Sequence, residues 1–197
     1  PLLTAALRTH AGNVEVSRNV SGALMKLAAA PSLRQRIVDA EGIPLLVAAM
    51  RTHADNVEVC RYVSEALWNL AQHDSLCSPI ADAGALPLLT AALRTHATDA
   101  AVCHSVSWAL WNLACEASLR SPIAAAGALP LLTAALRTHA ADAGVCRNVS
   151  WALWNLACEP SLRSPMADAG ALPQLTAALR THAADVDVCR NVSGALE

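Results

Sequence analysis

Histidine, cysteine, asparagine, tryptophan and arginine all recur in this chain at one fixed interval. His10, His53, His96, His139 and His182 lie 43 residues apart, and so do Cys60, Cys103, Cys146 and Cys189. His and Cys are common zinc ligands, but zinc needs them to converge on one ion at about 2.0–2.1 Å. Equivalent residues on stacked helices stand about 8–10 Å apart, so neither ladder is a metal site and none is expected. That separation also exceeds the roughly 7 Å between Cα atoms that a disulfide allows. The cysteine ladder therefore reads as buried reduced thiol, which fits a cytoplasmic or nuclear setting; Cys115 and Cys158 share a second position and Cys77 stands alone. Each histidine closes an Arg-Thr-His run, where a basic group would meet the partial negative charge of a helix end. No nucleophile–base pair, phosphate loop or metal cluster stands out, so the expectation is a non-enzyme without a cofactor.

The interval itself names the elements that hold these ladders. Leu7-Arg8-Thr9-His10 returns at Met50, Leu93, Leu136 and Leu179 with no insertion or deletion. A period of about 40–47 residues marks stacked helical repeats, of which at least about three are needed for stability. The 197 residues hold about four and a half such units. The chain is 54% apolar yet only 3% aromatic, with no Phe, so alanine and leucine do the packing. No apolar run approaches the roughly 18 residues of a membrane span. A net charge of −2 argues against a general nucleic-acid binder but leaves room for a local basic stripe.

One repeat can be read through residues 127–170. Pro130 suits a first helical turn, and Leu129, Leu132 and Leu136 make one apolar face of a helix ending at Thr138-His139. Asp142 and its equivalents Asn13, Asn56, Asp99 and Asp185 are N-caps by type. A second helix runs from Val145 to about Cys158, stopped by Glu159-Pro160. A short third segment is opened by the serine found in every repeat (Ser32, Ser75, Ser118, Ser161) and closed by Gly170. At about 100° per residue, Val145, Val149, Ala152, Leu153 and Leu156 form a core stripe. Arg147, Asn148, Trp151, Trp154, Asn155 and Cys158 fall almost opposite, a second stripe too mixed in chemistry to be more core.

Gly127-Ala128-Leu129-Pro130 followed by Trp151-Ala152-Leu153-Trp154-Asn155-Leu156-Ala157 resembles the armadillo repeat, in register along the whole chain. The resemblance implies an all-α fold, a right-handed α-solenoid of three-helix repeats, in which one helix of each repeat lines a concave groove. It further implies a protein–protein interaction module that binds an extended peptide. Asn69, Asn112 and Asn155 would clamp the peptide main chain, and Trp108 and Trp151 would flank side-chain pockets; Trp68, Trp111 and Trp154 have no assigned role in that pattern. A carboxamide donates and accepts at once, so it suits a peptide unit, and indole offers rigid apolar area and a face for cations. The alternative for the asparagines is a helix-end residue bonding its own backbone, and for the tryptophans core filling. Departures from the pattern are Gly22, Lys26, Glu65 and Gly194, so only the repeats around 99–115 and 142–158 carry the full set.

The ladder Arg18, Arg61, His104, Arg147 and Arg190 is either a solvated face or a cationic groove favouring acidic or phosphorylated peptides. Glu15, Glu58 and Asp187 would blunt the latter. Residues 84–126 and 127–169 differ at seven of 43 positions, and two of these, His104/Arg147 and Ser105/Asn148, lie in the mixed stripe. That pattern fits tuning of specificity on a constant scaffold, and drift after duplication fits it as well. Two other functions compete: single-stranded nucleic-acid binding through Trp stacking and the Arg ladder, which the net charge disfavours, and a designed or consensus-like scaffold with no native ligand. The chain divides as one solenoid over 1–197, with partial repeats 1–31 and 161–197 around repeats 32–74, 75–117 and 118–160. It starts and stops inside repeats, so end-to-end or swapped self-association is expected.

Overall fold

The computed structural model describes residues 2–196, which contain fourteen α-helices, two 3-10 turns and no strand. The helices are α1 (Leu2–Thr9), α2 (Val14–Ala28), α3 (Pro31–Asp39), α4 (Gly42–Thr52), α5 (Val57–Ala71), α6 (Cys77–Asp82) and α7 (Ala85–Thr95). They continue as α8 (Ala100–Cys115), α9 (Ala117–Ala125), α10 (Ala128–Thr138), α11 (Ala143–Ala157), α12 (Arg163–Asp168), α13 (Ala171–Thr181) and α14 (Val186–Leu196). The long helices α2, α5, α8, α11 and α14 pack side by side in chain order, and α1, α4, α7, α10 and α13 form a second row behind them. Short segments α3, α6, α9 and α12 join one repeat to the next. Among the described residues no single helix is long and apolar enough to cross a membrane.

Local chemistry explains each boundary. The five expected caps all close: Asn13, Asn56, Asp99, Asp142 and Asp185 accept the N–H of Val16, Val59, Val102, Val145 and Val188 at 2.9–3.0 Å. Gly84, Gly127 and Gly170 turn the chain into the second-row helices at φ of 85°, 85° and 76°, a region glycine enters without strain. Glu41 occupies the same place in its repeat at φ 58° and has no such freedom. The third segment differs from expectation. Its side-chain cap is Glu116 or Glu159, whose carboxylate accepts from the backbone N–H and the hydroxyl of Ser118 or Ser161, so the serine lies inside the first turn. In two repeats the segment opens as a 3-10 turn, at Asp74–Leu76 and Pro160–Leu162.

The core stripe lies where the sequence puts it: Val145, Val149, Ala152, Leu153 and Leu156 are fully buried. The repeats are also fastened by polar bonds. His53, His96, His139 and His182 each donate from Nε2 to a carbonyl of the preceding repeat, those of Ala11, Ala54, Ala97 and Ala140, at 2.8–2.9 Å. A carbonyl can only accept, so these rings carry the proton on Nε2. The histidine ladder is thus an inter-repeat fastening as well as a helix ending. Cys60, Cys103, Cys146 and Cys189 turn their thiols to the carbonyls at the start of the same connections. Cys77 is not isolated: it stands in register with Arg34, Arg120 and Arg163, whose Nε atoms donate to Ala28, Ala114 and Ala157 at the ends of α2, α8 and α11. Its thiol points at the equivalent Ala71 carbonyl, 3.5 Å away.

Candidate functional site

The mixed stripe of the long helices forms one continuous face, and its side chains touch across the repeat boundary with a small offset. Asn69, Asn112 and Asn155 donate from Nδ2 to the carbonyls of Met25, Trp68 and Trp111, at 3.1, 3.4 and 3.3 Å. Each acceptor belongs to the preceding long helix, so these bonds lace helix to helix, a use that neither of the two sequence-based readings contained. Asn155 also lies 3.2 Å from the thiol of Cys115. Asn69 is buried at 5% exposure, whereas Asn112 and Asn155 remain partly open.

Asn148 departs from its expected place in the face. It is 3% exposed and donates to the His104 carbonyl at 3.3 Å, and Asn191 does the same to Arg147 at 3.4 Å. A carboxamide this deep has no surface to offer a ligand, so Asn148 belongs to the inter-repeat joint. Ser105, in register with it, bonds Glu65 instead at 3.0 Å.

The tryptophans without an assigned role prove to be stacking partners. Trp68 lies on Trp108 with ring centroids 3.9 Å apart, and Trp111 on Trp151 at 4.3 Å with planes 10° apart. Trp154 continues the series against Gly194, where a Cβ would come within 2.6 Å of the ring. Stacking of large apolar rings adds to burial by about 0.5–1.5 kcal/mol. All five indoles are half-buried, so each pair exposes part of its surface along the face. His104 meets Trp108 edge-on at 5.2 Å; burial lowers its pKa, against an upward pull from Asp142 and Glu65.

Most of the arginine ladder is neutralised within the chain. Arg18 pairs with Glu58 at 3.3 Å; Arg147 pairs with Asp185 at 2.9 Å and lies 3.7 Å from Asp187, which also meets Arg190 at 3.6 Å. The acids suspected from sequence of blunting the ladder do so at Glu58 and Asp187. The N-cap Asp185 joins them, its carboxyl held low by the Val188 N–H and by Arg147. Arg61 lies 4.6 Å over the ring of Tyr62 and joins no ion pair among the described residues. Tyr62, which reaches across to Gly22, carried no signal in the sequence beyond sharing the register of Ser105 and Asn148.

Residues 31–72 and 118–158 match the Armadillo/beta-catenin-like repeat model. No curated protein matches the chain at a significant level. Among solved structures, an engineered protein from the Northeast Structural Genomics Consortium is 28% identical, with a TM-score of 0.84 over 98% of this chain and 76% of its own. A chain from work on a phosphorylation switch in the interaction between cadherin and beta-catenin is 22% identical, with a TM-score of 0.86 over 98% of this chain and 37% of its own. A computationally designed armadillo repeat protein for modular peptide recognition is 21% identical, with a TM-score of 0.62 over 100% and 98%. The segment 84–126 differs from 127–169 at only seven of 43 positions. Two segments of the chain are similar to armadillo repeats, and the same three-helix unit recurs through the described residues.

Proposed function

We propose that the chain is a non-enzymatic protein-interaction module that takes an extended segment of a partner protein along the face of α5, α8 and α11. One observation carries the reading: Asn112 and Asn155 stand in file beside the two indole stacks, each committing only Nδ2. Neither Oδ1 accepts a bond among the described residues, and Asn112 also keeps a second N–H, whereas that of Asn155 is directed at the Cys115 thiol; Asn112 thus offers a peptide unit a donor and an acceptor, and Asn155 an acceptor. The stacks supply apolar platforms beside the clamps, and packed helices about 8–10 Å apart lie within reach of about three residues of extended chain. Armadillo repeats are typically binding scaffolds rather than enzymes, and two of the structural relatives concern protein or peptide recognition. Those relatives share little sequence with this chain, so the weight rests on the file of asparagines and indoles.

The test is a selection from a random library of twelve-residue peptides. Enriched peptides should bind one to one and should perturb the Trp fluorescence of the stacks. Failure to enrich any sequence, or binding that leaves that fluorescence untouched, overturns the proposal.

A further inference from the structure

We infer that this face carries one open docking position for an anionic side chain of its partner, at Arg61, while Arg18, Arg147 and Arg190 in the same ladder meet the chain's own acids. The inference rests on the proposed peptide-binding role. It comes from the register of the ion pairs. Arg18 reaches Glu58, forty residues on, and Arg147 lies beside Asp187, also forty residues on. By the same step Arg61 should meet residue 101 and His104 residue 144, but these are Ala101 and Gly144. The column Glu15, Glu58, Ala101, Gly144, Asp187 loses its acids in the two central repeats.

What remains around Arg61 does not compensate it. Asp99, in register with the Asp185 that holds Arg147, accepts the N–H of Val102 and makes no ion pair. Glu65, one turn further along α5, accepts from the Ser105 hydroxyl at 3.0 Å. The guanidinium carbon instead lies 4.6 Å over the centre of the Tyr62 ring. A guanidinium without a carboxylate partner keeps N–H groups for a fork onto a carboxylate or phosphate. His104 does not compete for that ligand: burial favours its neutral form, and Trp108 meets it edge-on. The opposing charge that the other repeats supply from within would come here from the partner.

The experiment uses a peptide selected from the twelve-residue library, resynthesised with Glu, Gln or phosphoserine at its fixed acidic position. It is titrated against the parent chain, Arg61→Gln and Ala101→Glu. The second variant restores the missing acid at an exposed site in the first turn of α8, where a carboxylate suits the helix end; circular dichroism checks that both variants stay folded. The parent should prefer Glu over Gln by about 2- to 5-fold, less at high salt. Both variants should erase that preference while still binding the Gln peptide. Tighter binding of phosphoserine than Glu assigns the position to a phosphorylated side chain, and the reverse order to a carboxylate. A preference for Glu that survives in both variants overturns the inference. So do selected peptides with no acidic position, and in that case the peptide-binding reading stands. If no peptide binds at all, both fall.

Discussion

Truncating Asn112 and Asn155 together to alanine separates their two roles, because the lost scaffold bonds and the lost ligand bonds carry different costs. Their inter-repeat bonds, 3.4 and 3.3 Å, are long for N–H···O. Each therefore belongs at the low end of a net hydrogen bond, about 0.5 kcal/mol. The double variant should lose about 1 kcal/mol of stability, a drop in melting midpoint of about 2–4 °C for a chain of this size. On the ligand side Asn112 can make two bonds to a peptide unit and Asn155 one, through Oδ1. Three such bonds at the same low value come to about 1.5 kcal/mol, or about 10-fold in Kd.

Asn148→Ala is the control. Its carboxamide is buried, so removing it deletes the bond to the His104 carbonyl, which keeps its partner within α8, and should cost about 0.5–1.5 kcal/mol of stability with Kd unchanged. Thermal melts at 222 nm and anisotropy titration of a selected peptide measure the two quantities. If the Asn112/Asn155 variant binds within about threefold of the parent while melting lower, those asparagines are scaffold alone. If Asn148→Ala weakens binding as much as the double variant, the loss travels through the scaffold, and the clamp argument fails.

Three further outcomes follow from the structure. The exposed thiols of Cys115 and Cys158 should react with an aromatic disulfide reagent at pH 8, while Cys60, Cys77, Cys103 and Cys146 stay silent until denaturant is added, because burial pushes them up to about 11; labelling of Cys103 as fast as Cys115 would contradict this. Those four raised values also set an alkaline limit: the folded thiols hold their protons above the ordinary value of 9.0, so their contribution is complete below that pH and is lost as pH rises toward 11, and the melting midpoint should fall across that window. Gly127→Ala should cost about 1–2 kcal/mol from its positive φ alone, since no atom lies within 4 Å of the added methyl, whereas Glu41→Gly should be neutral or stabilising; chemical denaturation of both compares them.

The caps and core stripe were legible in the sequence because they depend on neighbours three or four residues away. The Asn and Asp caps and the core stripe of α11 follow from helix geometry alone. The contacts across repeats were not legible, because a 43-residue period suggests that equivalent residues face one another. They do not. The asparagines reach 44 residues back, the histidines 42, and the indoles stack at 40. The signal was present as Trp68/Trp108 and Trp111/Trp151, pairs forty apart, but it acquires meaning only once the indoles are known to meet at forty rather than 43 residues. The same step of forty explains Gly194, which read as a missing groove residue and proves to be the seat of Trp154.

The same offset bears on how a ligand would act on the molecule. Asn155 donates to the Trp111 carbonyl while Trp111 stacks on Trp151, so one clamp and one platform join the same pair of helices, α8 and α11. A peptide bonding to Oδ1 would polarise the N–H that meets the Trp111 carbonyl and tighten the inter-repeat bond, since linked hydrogen bonds reinforce one another. Binding and repeat packing would then favour each other, and a peptide that grips the file should raise the melting midpoint through the joint between α8 and α11. In an all-helical stack, where each repeat meets only its neighbours, that local stiffening spreads no further than the next interface. Amide exchange should therefore slow in α8 and α11 on peptide binding and stay unchanged in α2; protection extending evenly along the chain would show that the repeats do not behave as separate neighbours.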